Sequence, residues 1–171
     1  MILKFIRFLL RFRQRKIKKK FNRVLPLGDC IIDRWEKASF LGFGKGSTVY
    51  DNVLIIGDVV VGENTWIGPN VILDGSGGLK IGSNCSISAG VQIYSHDTVK
   101  WAVSGGKEDY EYAKTTVEDN CYIAPNVIIA KGVKVGKSAI IGANSFVNKD
   151  VPPNTKAAGN PIRIINHAGD N

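Results

Sequence analysis

The chain has 171 residues, 44% of them hydrophobic, which is enough for one well-cored domain. Its net charge of +8 is segregated: before Asp29 there are ten Lys or Arg and no acid, and from Gly28 onward 13 basic residues stand against 15 acidic ones. A nearly neutral body lacks the basic, aromatic-laced surface of a nucleic-acid binder, and an apolar run of at most three residues in the basic segment reads against a spanning helix or a secretion signal.

Residues 1–23 are expected to form a basic amphipathic helix. Ile2, Phe5, Leu9 and Phe12 recur at helical spacing, and Leu3, Ile6, Phe8 and Leu10 widen the stripe. Lys4, Arg7, Arg11, Arg13, Arg15, Lys16 and Lys18 to Lys20 supply the charge. Such a helix suits an anionic membrane surface, with packing on a partner subunit as the other use. Residues 24–48 read as a cap and lead-in. Pro26 and Gly28 break the helix, and Ile31, Ile32 and Trp35 are expected to cover the open end of the core that follows.

From Val49 an aliphatic residue returns every six positions: Ile55, Val61, Ile67, Leu73, Ile81, Ile87 and Ile93, then Val117, Ile123, Ile129, Val135, Ile141 and Val147. Small or branched residues precede them by two, among them Val59, Thr65, Val71, Cys85, Val91, Cys121, Val127, Val133, Ala139 and Ser145. A helix would repeat at 3.6 and a plain strand at 2. The beat describes a short strand and a corner, repeated. The aliphatic residue and the one two before it share the inner face. Three sides close a coil of about 18 residues, and stacked coils bury a continuous core. An ordinary β-sandwich would instead need turn signals every 8–12 residues or so.

The beat breaks twice. Two extra residues fall between Leu73 and Ile81, and the pattern is lost from Thr98 to Thr116. Leu73 and Ile93 begin the same side of successive coils, so both insertions leave one edge of the prism and are expected to form a wall beside His96. The long insertion carries Trp101, Lys107, Glu108, Asp109, Tyr110, Glu111 and Tyr112, aromatic and carboxylate groups suited to a sugar. If it loops out as a unit, Cys85 and Cys121 stack on neighbouring coils as buried thiols. Three Cys with no CxxC spacing and no secretion signal fit a reducing cytoplasm, and no metal-ligand set is visible. The domain plan is therefore 1–23 helix, 24–48 cap, 49–153 solenoid with an excursion over 98–116, and 154–171 a closing segment and tail in which His167 is a solvated residue.

The hexad run resembles the left-handed β-helix of the hexapeptide-repeat acyltransferases over about residues 47–165, and the handedness is taken from that resemblance. The twelve residues from Ser86 to Asp97, Ser-Ile-Ser-Ala-Gly-Val-Gln-Ile-Tyr-Ser-His-Asp, look like the active-site coil of the sugar O-acetyltransferases in that family. The resemblance implies a mainly β fold, a homotrimer, acetyl-CoA as co-substrate without a metal, and His96 as general base. A neutral imidazole can take the proton of a hydroxyl as it attacks a thioester carbonyl. Asp97 points to the other side of an extended chain, so a backbone carbonyl is expected to orient His96. By the family pattern Ala124, Pro125, Gly142 and Ala143 lie where backbone groups meet the pantetheine arm, although Pro125 has no N–H to give. Asn148, Lys149 and Arg163 fall where CoA phosphates are met, with Lys131 at the corner equivalent to Lys149. Asp74, Tyr94 and Trp101 are expected at the acceptor.

The function implied is acetyl transfer to a sugar hydroxyl in surface-polysaccharide or lipid-linked saccharide assembly, in the cytoplasm on the inner face of the membrane. Two other readings stand beside it. One is N-acetylation of a nucleotide-linked amino sugar, and the other is a non-catalytic trimeric scaffold at a membrane. A zinc β-helix of the carbonic-anhydrase kind would need three His, and the chain has two.

Overall fold

The structure, a computed structural model, describes residues 2–167, without the side chain of His167. Of the tail expected over 164–171, residues 164–167 belong instead to a strand, Arg163–His167, while 168–171 and the reading of the His167 side chain lie outside the described residues. The body is a parallel β-helix preceded by a helix, the mainly β architecture the beat implies.

Most rungs are two-residue strands whose second residue is an aliphatic of the hexad series, while Leu54–Val61 and Ile72–Ile81 run through a corner and carry two rungs each. On the first face, Val49, Ile67, Ile87, Ile123 and Ile141 stack in register through parallel pairs, and Ala157 follows. On the second face the file is Ile55, Leu73, Ile93, Ile129 and Val147. On the third it is Val61, Ile81, Val117 and Val135, with Val151 bridged to Val135. All of these except half-buried Ile55 are buried, as are Val71, Cys85, Val91, Cys121, Val127, Val133 and Ala139 at the position two before. Corners turn in the left-handed region, where Asn is the preferred non-Gly residue. Asn64, Asn70, Asn84, Asn120, Asn126 and Asn144 all have φ between 52° and 63°. Cys85 and Cys121 do lie on neighbouring rungs, because Ser86 pairs with Tyr122, and both thiols are free and buried.

The long insertion is not a plain loop. It carries a short helix, Val99–Val103, and returns as a strand, Glu111–Tyr112, antiparallel to His96–Asp97. Thr115–Val117 is already a rung, between Leu79–Ile81 and Lys134–Val135. The coil also runs past the paired prolines. Pro152 and Pro153 occupy a corner, where no ladder N–H is required, and Thr155–Ala158 adds a rung beside Ile140–Ile141.

The cap differs from expectation. Ile31, Ile32 and Trp35 are exposed, and the end of the core is closed by Ala38 and Phe43 with Leu41. Helix Arg34–Phe40 is N-capped by Asp33, whose Oδ1 accepts from the N–H of Trp35 and Glu36. Its small Ala38 lets the backbone approach the first strand, a fit that bulky Trp35 would prevent. The N-terminal helix, Ile2–Phe21, has no buried residue, and Lys18, Lys19 and Lys20 complement the negative end of its dipole. No helix among the described residues is long and apolar enough to cross a membrane.

Candidate active site

The site begins with the two-residue insertion after Leu73. Asp74, Gly75, Ser76, Gly77 and Gly78 must turn back against the next coil within strand Ile72–Ile81. The turn is close: a Cβ on Gly77 would stand 2.4 Å from the Ser95 carbonyl oxygen and 2.9 Å from the Ala113 nitrogen. The two insertions therefore meet beside His96, as their shared edge requires. Gly77 N–H donates to Ser95 Oγ at 2.8 Å, Ala113 N–H to the Ser95 carbonyl at 2.9 Å, and Thr115 Oγ1 to the Tyr94 carbonyl at 2.6 Å. The backbone on either side of Ser95 is thus pinned from both insertions.

Asp74 is the hub of this turn and is 0% exposed. Its Oδ1 accepts from the Ser76 N–H at 3.0 Å and hydroxyl at 2.5 Å. Its Oδ2 accepts from the N–H of Ser95 at 3.0 Å, the N–H of His96 at 3.2 Å and His96 Nδ1 at 2.5 Å. Burial pushes the carboxyl up, but the Ser76 hydroxyl, the Ser95 N–H and His96 outweigh it and hold it down at about 2. An ionised carboxylate only accepts, so Nδ1 carries the proton and the neutral ring has its lone pair on Nε2. This corrects two expectations. The group that orients His96 is a carboxylate from the coil below and not a backbone carbonyl. Asp74 lies behind the imidazole, out of reach of an acceptor.

The depressed carboxyl has a consequence for stability. A group whose folded pKa lies below its ordinary 3.8 adds stability that is present above that value and lost as pH falls through about 2. The difference is worth about 2 kcal/mol. Between about pH 5 and about pH 2, urea unfolding of the native chain should lose that much more stability than Asp74→Asn, which has no such carboxyl to titrate. Equal losses would show that the carboxylate is not held in this way.

The His96 side chain is 27% exposed and its ring stacks on Tyr112, centroids 6.0 Å apart and planes at 25°. Lys131 ties the two strands of the hairpin together: its Nζ is 3.1 Å from Asp97 Oδ2 and 3.2 Å from Glu111 Oε2. Lys100 adds a 2.8 Å contact to Glu111, and these lysines hold the Glu111 carboxyl below its ordinary range. Trp101 is partly exposed on the short helix, edge-on to Tyr110 at 5.8 Å. Half-buried Tyr94 donates its hydroxyl proton to Gln92 Oε1 at 2.8 Å.

Of the residues expected at the donor, Ala124 and Gly142 lie in one file, with Ser88 before them and Ala158 after. Their N–H groups are taken by the ladder, Ala124 to the Ile141 carbonyl and Gly142 to the Ala157 carbonyl. A Cβ on Gly142 would come 2.7 Å from that of Ala158, so the file is closely packed. Pro125 and Ala143 are exposed at the next corner, and the Ala143 N–H enters no ladder bond among the described residues. Asn148, Lys149 and Arg163 are exposed. Lys131 is taken up by two carboxylates and does not serve as the expected phosphate cation, whereas Lys149 has no ion pair among the described residues. Sequence reasoning missed the Asp74–His96 pair, the stacking of Tyr112 on His96 and the Lys131 clamp. The register of Leu73 on Ile93 was the signal available for the first.

Comparison with known proteins bears on the whole arrangement. The model of the bacterial transferase hexapeptide (six repeats) matches residues 114–149, and that of the hexapeptide repeat of succinyl-transferase matches residues 58–95. Galactoside O-acetyltransferase of Escherichia coli (strain K12) is 32% identical over 130 residues, 64% of this chain and 64% of that protein. Galactoside O-acetyltransferase of Lactococcus lactis subsp. lactis is 29% identical over 160 residues, 90% of this chain and 67% of that one. The chain thus spans just under two thirds of the length of the first of these relatives. Among solved structures, the hexapeptide-repeat containing acetyltransferase VCA0836 of Vibrio cholerae, complexed with acetyl coenzyme A, superposes with a TM-score of 0.72 at 27% identity. The superposition covers 94% of this chain and 88% of that one.

Proposed function

We propose that the chain, as a member of the hexapeptide-repeat acyltransferase family, moves an acetyl group from acetyl-CoA to a sugar hydroxyl, with His96 as general base. The observation that carries this reading is the Nδ1 bond to buried Asp74, which leaves Nε2 as the free basic nitrogen of a partly exposed ring. Nε2 takes the hydroxyl proton as the acceptor oxygen bonds to the thioester carbonyl carbon. As the carbon–sulfur bond breaks, the same nitrogen returns the proton to the departing thiolate. As the proton arrives the ring becomes cationic, and the anionic Asp74 at 2.5 Å stabilises it. Trp101, Tyr110 and Tyr112 offer the aromatic surface on which a sugar stacks, and Tyr94 is a further acceptor contact.

The pantetheine arm meets the file of Ala124 and Gly142, with Pro125 and Ala143 at its corner. Because two N–H groups of that file are used within the solenoid, the arm is met there by carbonyls and by the Ala143 N–H. Asn148, Lys149 and Arg163 take the phosphates, Arg163 in bidentate fashion.

The reading includes a homotrimer. The outward positions run Trp66, Ser86, Tyr122 and Ile140 on the first face and Leu54, Ile72, Gln92, Ile128 and Phe146 on the second, with only Ser86 and Gln92 polar among them. The third face carries Val60 at its start and then Lys80, Thr116 and Lys134, so it is the most polar of the three. Two adjacent apolar faces and one polar face suit three subunits around an axis, each covering its neighbour. The reading also takes the acceptor as part of a surface polysaccharide or lipid-linked saccharide and the location as the cytoplasmic side of the membrane. The test is calorimetric titration with acetyl-CoA, with CoA as control. Saturable binding near one molecule per chain is expected, and turnover with a panel of sugar hydroxyls and amines then separates O- from N-transfer. No binding of either nucleotide would overturn the donor assignment.

A further inference from the structure

The N-terminal helix has no part in the chemistry above, yet it is the most strongly patterned surface of the chain. Ile2, Phe5, Ile6, Leu9 and Phe12 recur three and four residues apart, so they share one side of Ile2–Phe21, and all are exposed. Lys4, Arg7, Arg11, Arg15 and Lys18 follow the same spacing on the opposite side. The helix meets the rest of the chain on that basic side. A cavity of about 200 Å³ there is lined by Arg11, Gln14, Ile17 and Lys18 together with Val24 and Cys30. The apolar stripe therefore faces away from the solenoid, with three phenylalanines, counting flanking Phe8, open to water.

Beyond Phe12 the outer side changes character. Arg13, Lys16 and Lys20 continue the line of the stripe, and Lys16 Nζ lies 4.8 Å from the Phe12 ring centroid. One half of the outer side is thus apolar and the next half cationic, with no acidic residue anywhere in the segment. A second copy of this chain is the competing occupant: its Asp97, Glu111 and Glu118 are paired with Lys131, Lys100 and Lys134, while Glu63, Glu108 and Asp109 are exposed with no ion pair among the described residues. The occupant that answers both halves has an apolar interior beneath a layer of negative charge.

We propose that Ile2–Phe21 docks the protein on an anionic phospholipid bilayer, with the Ile, Leu and Phe side chains of its first three turns below the headgroups and Arg13, Lys16 and Lys20 at the phosphates. The helix lies in the interface and does not cross it. Docking gathers the protein on the surface that carries a lipid-linked saccharide, but it stands or falls independently of the transfer reaction.

The test is flotation of the full chain with vesicles of phosphatidylcholine alone or with about one third phosphatidylglycerol. The chain should float only with the anionic vesicles. It should release as salt rises from about 0.1 M to about 1 M, where the Debye length shrinks from roughly 10 to 3 Å. Arg13→Glu, Lys16→Glu and Lys20→Glu together should weaken binding at least about a hundredfold, at roughly fivefold per basic residue. Phe5→Ser with Phe12→Ser should abolish it at low salt while the mass in solution stays unchanged. Equal flotation with neutral vesicles, or none with either, overturns the proposal. So does a change of mass in the Phe variant, which would make the stripe an interface between copies.

Discussion

Replacing His96 by alanine is expected to lower the rate of acetyl transfer by about 10²–10⁴-fold while leaving the fold and the affinity for acetyl-CoA intact. The fold survives because what anchors this corner is backbone. The N–H groups of Ser95 and His96 still donate to Asp74, Gly77 still donates to Ser95 Oγ, and Tyr112 still pairs with residue 96. Only the imidazole is removed, and it was partly open to solvent. The measurement pairs steady-state kinetics with calorimetry on the same variant. A large fall in kcat with unchanged acetyl-CoA binding is the expected pattern. Turnover within about threefold of the parent chain would remove His96 from the role of base.

Asp74→Asn is expected to cost both rate and stability, although it changes one atom. The amide must turn its NH2 either toward Ser76 or toward the three donors that converge on Oδ2. In the first case the Ser76 N–H loses its acceptor in a buried turn. In the second, the N–H groups of Ser95 and His96 do. Either way the cost is about 2–4 kcal/mol, or roughly 6–12 °C in Tm for a chain of this size. The second orientation also presents a donor to Nδ1, which moves the ring proton to Nε2 and removes the base. A fall in kcat of at least about tenfold, with KM for acetyl-CoA unchanged, marks Asp74 as a residue that positions His96. A variant with parental Tm and kcat would show that the pair is incidental.

The six-residue beat carried most of the architecture, because each hexad states which side chain faces inward and each coil repeats the statement. That is why the stacking of Cys85 on Cys121 is legible across the interruption from Thr98 to Thr116. The Asp74–His96 pair is not legible among chain neighbours. Asp97 is adjacent in sequence and faces Lys131, whereas Asp74 is 22 residues away and one rung below. In a solenoid the relevant neighbour is a coil distant, and the two-residue insertion conceals the count. The hairpin over the site was illegible for another reason. Between Val99 and Tyr112 there is no period, and its shape rests on the charges around Lys131. The cap is not legible from apolar character alone, because Ile31, Ile32 and Trp35 stay exposed while a small Ala38 admits the backbone and Phe43 fills the space.

Parallel coils leave an unfinished edge at each end, and at one end the chain disposes of it. The last rung, Thr155–Ala158, has Ile140–Ile141 on one side and the antiparallel strand Arg163–His167 on the other. The register shifts between Lys156 and Ala157 in that final pair. An incoming coil from another molecule would find its docking edge occupied by a strand of the wrong direction, interrupted by a bulge. Growth into an end-to-end filament, the failure to which a regular parallel stack is most exposed, is blocked by five residues of reversed chain.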